Sequence, residues 1–337
     1  MLTRNITPYA CMLVLLAACS KQNTPPVSES AQAGGSNSSL RWHWIVQNTG
    51  QETVFGLIKE QGANQTIQSG IEENQNDMNT AGVNLTRRSI ALSEATESNT
   101  IDTYLEDGYN VQIIVNWNGG VNGTRGFPSG GDLEFLKSRA AAFFEYYAPY
   151  KKQIPCVAIE NEWDWEVVHG ANLQDYLAEL RVMTTIGHQY GFKITDGGIT
   201  STALQRWTYS QLDGDAQVQW DENYWVGLNA GYDYNDLIDI VNSYAAGVQN
   251  IDIDHSNVHW TNATTCGNGF ATATQIFMEA CNKKSVVCNE FSIRTDSSSL
   301  FDSTVNEITG NAEFAIAYSG TNDGPSIKLS DEMLRML

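Results

Sequence analysis

The sequence predicts an α/β protein of the (β/α)8 barrel type, on three observations. Eight strand-like apolar runs alternate with helix-like segments between residues 40 and 337. The first turn lacks the glycine-rich pattern of a doubly wound open sheet, the competing architecture. Glutamates stand directly after two of the apolar runs, where a barrel opens its functional face.

Trp42 to Gln47 reads as the first strand and Val83 to Ile90 as the second, with a helical stretch at Ile101 to Glu106. Val111 to Trp117 is a buried strand. Leu133 to Tyr147 has helical spacing through Leu136, Ala140, Phe143 and Phe144, and Cys156 to Ile159 is the fourth strand. Asn172 is an N-cap for a helix with Leu173, Leu177, Leu180 and Met183 on one face, stopped at Gly191. Phe192 to Ile199 is the fifth strand, followed by a long aromatic-rich connection over 200–235. Asn257 to Trp260, Val286 to Cys288 and Phe314 to Tyr318 complete the strands. A helix lies at Ala271 to Cys281, and Ser330 caps a last one.

Three segments are expected. Residues 1–18 read as a signal peptide, with basic Arg4 and an apolar run from Ala10 to Ala18. Leu16-Ala17-Ala18-Cys19 is similar to a bacterial lipobox, which implies acylation of Cys19 and a lipid-anchored protein of the cell envelope. Residues 19–39, with six serines, Pro25-Pro26 and Gly34-Gly35, form a flexible tether. Residues 40–337 form the single folded domain, expected to be monomeric. A net charge of −20 repels phosphate backbones, so nucleic acid is not an expected partner. No P-loop, GxSxG or GxGxxG motif is present, and no cofactor is called for. Cys156 and Cys288 read as buried thiols, with a Cys266–Cys281 disulfide left open. Asp252, Asp254, His255 and His259 lack a spacing that converges on one point, so no metal is expected.

The fourth strand ends in Glu160-Asn161-Glu162-Trp163 and the seventh in Asn289-Glu290-Phe291. Two carboxyl groups facing one cleft are what glycoside hydrolysis needs: one protonates the leaving oxygen, the other attacks or activates water. Glu160, two residues deeper than Glu162, is the alternative acid. Asp164 and Glu166 read as solvated loop residues. Trp117, Trp163, Trp165, Trp207, Trp220, Trp225 and Trp260 follow strand ends, and such rings stack on apolar sugar faces. The 200–235 connection supplies several of them, which favours a cleft and endo action.

Asn161-Glu162 after strand four, with Glu290 after strand seven, resembles the clan A glycoside hydrolases. The resemblance implies a retaining enzyme on a (β/α)8 barrel that cleaves β-linked polysaccharide or oligosaccharide. It makes Glu162 the acid/base, Glu290 the nucleophile and Asn161 the partner of the sugar 2-hydroxyl. Arg87, in Gly82-Val83-Asn84-Leu85-Thr86-Arg87, resembles the arginine that steadies the nucleophile, with Arg88 as its neighbouring alternative. His259 matches a strand-six histidine, and Tyr318 is the aromatic nearest the strand-eight tryptophan position. A non-catalytic glycan-binding lipoprotein on the same barrel is the alternative function.

Overall fold

The computed structural model describes residues 52–60, 65–118, 126–164, 172–224, 234–262, 269–293, 295–320 and 327–337, all within the compact unit Arg41–Leu337. The signal, Cys19, the tether and the strand expected at Trp42 to Gln47 lie outside the described residues. The described residues hold eight strands: β1 Val54–Lys59, β2 Leu85–Ala91, β3 Asn110–Asn116, β4 Val157–Ile159, β5 Ile194–Asp196, β6 Ser256–Asn262, β7 Val286–Ile293 and β8 Phe314–Ser319. The first strand of the ring is thus Val54–Lys59, twelve residues beyond the expected start; Gly56 and two charged or polar flanks hide it from an apolar-run search.

Every strand pair is parallel. One ladder runs β2-β3-β4-β5 and the other β1-β8-β7-β6. Isolated bridges Thr195↔His255 and Ile199↔Val258 join β5 and its exit to β6. At the β1/β2 seam the backbones approach closely: a Cβ on Gly56 would lie 2.6 Å from the Leu85 carbonyl oxygen, so only glycine fits. This cyclic order of parallel strands is the predicted barrel.

The helices are α1 Ile67–Ala81, α2 Asn99–Glu106, α3 Leu133–Tyr147, α4 Leu173–Tyr190, α5 Ser201–Gln211, α6 Gly214–Tyr224, α7 Tyr234–Val248, α8 Gly269–Cys281, α9 Ser298–Ile308 and the short α10 Asp331–Leu334. Their ends follow the expected chemistry. Asn172 accepts the Asp175 amide, Ser330 accepts the Met333 amide, and Gly191 closes α4 in the left-handed conformation at φ 79. No helix among the described residues is long and apolar enough to cross a membrane.

Strand alternation divides the core. Leu85, Cys156, Val287, Phe314 and Ile316 come from opposite sides of the ring and form a small cluster of their own. The large cluster packs the other strand faces against the helices. Cys156, Cys281 and Cys288 are free buried thiols, so Cys281 forms no disulfide; Cys266 lies outside the described residues.

The connection after β5 departs from expectation. Residues 201–224 are two helices, not an open cleft loop. Trp207 is 1% exposed, donates to Asn242 Oδ1 at 2.8 Å and meets Phe277 edge-on. Trp220 is buried and donates to the Gln205 carbonyl at 3.1 Å. Neither of these two rings can stack on a sugar; Trp225 of the same connection lies outside the described residues. Trp207→Ala is expected to cost about 3–5 kcal/mol of stability. Thermal unfolding checks this; an unchanged melting temperature with weakened glycan binding would reverse the assignment.

Candidate active site

The site draws on Arg87 within β2, the turn after β4, His259 within β6 and Glu290 within β7. On β2, alternation sends Leu85 and Arg87 inward, while Thr86 meets Asn74 of α1 at 3.2 Å. Arg88 also faces the helices. It hydrogen-bonds the Tyr104 hydroxyl and lies over that ring at 4.5 Å. Parity puts Arg87, and not Arg88, on the side of Glu290. Arg87 Nη2 reaches Glu290 Oε2 at 2.6 Å.

Glu290 owes its direction to a β-bulge. Asn257 pairs with Val287, but His259 pairs with Glu290, so β7 carries one extra residue. The other edge agrees, with Cys288 opposite Ala315 and Phe291 opposite Ala317. Phe291 stacks on Phe301 of α9, outside the ring. The extra residue thus lets Asn289 and Glu290 both turn away from the helices, as bulges beside active sites do. Burial favours a neutral Glu290, but the charge of Arg87, then of His259, outweighs it and holds the carboxyl below the usual range.

After β4 the chain takes a left-handed backbone twice, at Glu160 (φ 64) and Glu162 (φ 55). Both conformations are costly for a residue with a side chain, and such strain concentrates at functional sites. It is held by the Glu160 amide on the Val115 carbonyl at 2.8 Å and the Glu162 amide on the Gly197 carbonyl at 2.9 Å. Gly197 is obligatory, since a Cβ there would sit 2.7 Å from the Glu160 backbone. Gly198, at φ 84, leaves room for His259, whose Nε2 would be 2.8 Å from any Cβ.

Glu162 Oε1 lies 3.2 Å from His259 Nδ1. Burial opposes a charge on His259, but the hydrogen bond to Glu162 and the charges of Glu290 and Glu162 outweigh it and raise its pKa. One side-chain donor atom each from Glu162, His259 and Glu290 falls within 4.8 Å of the other two. The side chains of Glu162 and Glu290 remain 20% and 26% exposed, so a solute can reach both. Glu160 is fully buried with Oε1 on the Trp117 amide at 2.6 Å, which removes it as the acid. Asn161 is half-buried beside Glu162, and its Oδ1 accepts no hydrogen bond from the described residues.

The aromatic residues divide. Trp260 is 0% exposed, packs edge-on against Phe270 and donates to Glu307, so it is core and not a sugar platform. Trp163 is buried and stacks on Tyr244 with centroids 3.8 Å apart. Trp117 is buried against Phe127 and Phe135. These two rings support the site's loops and present little open face. Tyr318 on β8 is half-buried; Trp165 and Trp225 lie outside the described residues.

Sequence reasoning missed two carboxyls. Asp164 is half-buried, not solvated; it accepts Thr200 N at 2.8 Å and Thr200 Oγ1 at 2.6 Å, tying the β4 loop to the cap of α5. Burial pushes it up to about 6. Glu166 lies outside the described residues. Asp196 ends β5 and accepts Gly198 N at 2.9 Å, Asn257 N at 3.1 Å and the Tyr244 hydroxyl. Burial pushes it, too, up to about 6. An Asp at the end of a short strand, followed by Gly-Gly, is the signal that could have found it. The residues weighed as a metal set stay apart: His255 meets Ser285 and Glu313, Asp254 meets His188, and His259 meets Glu162.

No protein-family model and no curated protein sequence matches the chain. Solved structures do. A family 39 glycoside hydrolase from the gut symbiont Bacteroides cellulosilyticus WH2 is 13% identical at a TM-score of 0.52, over 87% of this chain and 63% of that one. A glucosidase from Croceicoccus marinus is 10% identical at 0.52, over 80% and 59%. XacCel5A, solved with cellopentaose, is 10% identical at 0.52, over 85% and 98%. The chain thus spans about three fifths of the length of the first two. At these identities the likeness shows the fold: a TIM barrel of the kind on which glycoside hydrolases are built.

Proposed function

We propose that this barrel is a retaining glycoside hydrolase that cleaves β-linked polysaccharide or oligosaccharide by double displacement. The observation that carries the reading is the pairing of two reachable carboxyls, Glu162 and Glu290, with oxygens within 4.8 Å of each other. A closest approach of oxygens within 4.8 Å suits the carboxyl spacing of retaining enzymes, about 5–5.5 Å, better than that of inverting ones, about 6.5–9.5 Å.

In this scheme Glu290, kept ionised by Arg87, attacks the anomeric carbon while Glu162 delivers a proton to the departing oxygen. Glu162 then takes a proton from water, which hydrolyses the glycosyl ester on Glu290. His259 orients the Glu162 carboxyl between the two steps. Asn161, with its unused acceptor, serves the sugar 2-hydroxyl. A panel of β-glucans, mannans, xylans and galactans, scored for new reducing ends, finds the substrate. Proton NMR of the first product is expected to show retention at the anomeric centre; inversion would refute the double displacement.

The same reading includes a lipid anchor on Cys19, supported by the lipobox-like Leu16-Ala17-Ala18-Cys19 and the polar stretch behind it. It places the enzyme at a bacterial cell envelope. Cys19→Ser is expected to move the folded protein from the membrane to the soluble fraction; continued membrane fractionation sinks the anchor.

A further inference from the structure

A second pair of carboxyls stands behind Glu162, and the proposed chemistry makes no use of it. Glu160 directly follows β4 and Glu179 lies within α4; they are 0% and 1% exposed. Glu160 Oε1 accepts the amide of Trp117, the first residue after β3, at 2.6 Å. Glu179 Oε2 accepts the amide of Phe127, further along the same connection, at 3.3 Å. Glu179 Oε1 takes no donor from the described residues, and Glu160 is the side chain that acts on the Glu179 carboxyl. Ionised carboxylates only accept, so a hydrogen bond between them requires one proton on the pair. Two like charges buried side by side do not both ionise.

Burial pushes Glu179 up to about 8, against the Phe127 amide and the Glu160 side chain, so the pair keeps its proton at neutral pH. Other ionisable groups surround it. Tyr176, also on α4, takes the Gly197 amide at 2.8 Å and donates to the Ile159 carbonyl at 3.2 Å. Burial, and then the charge of Asp196, holds its phenol far above the usual range, so it stays neutral. Asp196 ends the neighbouring β5, and Glu162 follows two residues after Glu160.

We propose that the singly protonated Glu160–Glu179 pair is a positioning device for Glu162. It ties the connection after β3, the left-handed turn at Glu160 and helix α4 into one piece, and Glu162 stands on that turn. Loss of the shared proton places two like charges in the interior and releases the turn. The alkaline limit of activity is then set by groups that never touch substrate. The activity part of this inference rests on the proposed glycosidase reading; the structural part does not.

The test uses the full chain with Glu179→Gln, which keeps a donor toward Glu160 without needing a proton, and Glu179→Leu, which does not. Amide exchange at Trp117 and Phe127, expressed as protection factors, is followed from about pH 6 to about pH 10. In the wild type, protection should fall about tenfold per pH unit once the pair titrates. In Glu179→Gln it should stay level, and in Glu179→Leu it should be low throughout. With a substrate in hand, Glu179→Gln should move the alkaline limb of kcat upward with KM unchanged. Level protection in the wild type, or the same fall in Glu179→Gln, overturns the proposal. If no glycan is cleaved, the enzymatic reading fails, and the exchange result still decides the pair.

Discussion

Glu290→Ala is expected to lower turnover by about 10⁴- to 10⁶-fold, the cost of removing a nucleophile that no neighbour replaces. Glycan binding should survive, because the remaining cleft is unchanged, and isothermal titration against a cleaved glycan checks this. The variant also leaves Arg87 in a buried position without its 2.6 Å partner, so a stability loss of up to about 3 kcal/mol accompanies it. Part of that loss depends on pH in a defined direction. The Glu290 carboxyl is depressed in the fold, so its pairing stabilises the protein above the unfolded carboxylate pKa. The contribution fades as pH falls through the lower folded value. The wild type should therefore lose more stability than Glu290→Ala on strong acidification. Turnover within tenfold of the wild type would exclude Glu290 as the nucleophile.

Glu162→Ala should cost about 10²- to 10⁴-fold on an ordinary glycan, the range for a general acid and base. Aryl glycosides with good leaving groups should escape most of the penalty in the first step, since they need no proton. The glycosyl-enzyme then accumulates, because the base is missing as well. Added azide should restore turnover and give a glycosyl azide of unchanged anomeric configuration. A uniform loss on all leaving groups, with no azide effect, would move the acid elsewhere.

Much of this site is legible in the sequence because it depends on strand ends and strand parity. Glu162 and Glu290 follow apolar runs, and Arg87 and His259 lie within theirs; the barrel brings all four together. The same parity, read one residue further, also separates Arg88 from Arg87 and turns Trp260 away from His259. The sequence reading placed Trp260 in the cleft by counting aromatics without that step. Other features had no local signal. The β7 bulge carries no glycine, so nothing in Val287-Cys288-Asn289-Glu290 announces that two adjacent side chains share a face. The apolar run of β1 is broken by Gly56, required by a close approach of β1 to β2 that no local sequence signal announces. The tryptophans of 201–224 suggest an open surface in the sequence, whereas helix formation and tertiary packing on Asn242 and Phe277 bury Trp207.

The two ladders give the carboxyl gap a mechanical character. Arg87 and Glu162 belong to the β2–β5 half of the ring, and Glu290 and His259 to the other half. Both short contacts, Arg87 to Glu290 and Glu162 to His259, therefore span the bore from one half to the other like tie rods. The halves meet along lines where continuous pairing gives way to isolated bridges or to bare backbone approach. Breathing along either line would change the distance between the Glu162 and Glu290 carboxyls while every ladder stays intact. In the proposed enzyme the carboxyl spacing would then be more fragile than the fold itself, and a sugar touching both carboxyls would act as a third tie that stiffens the ring.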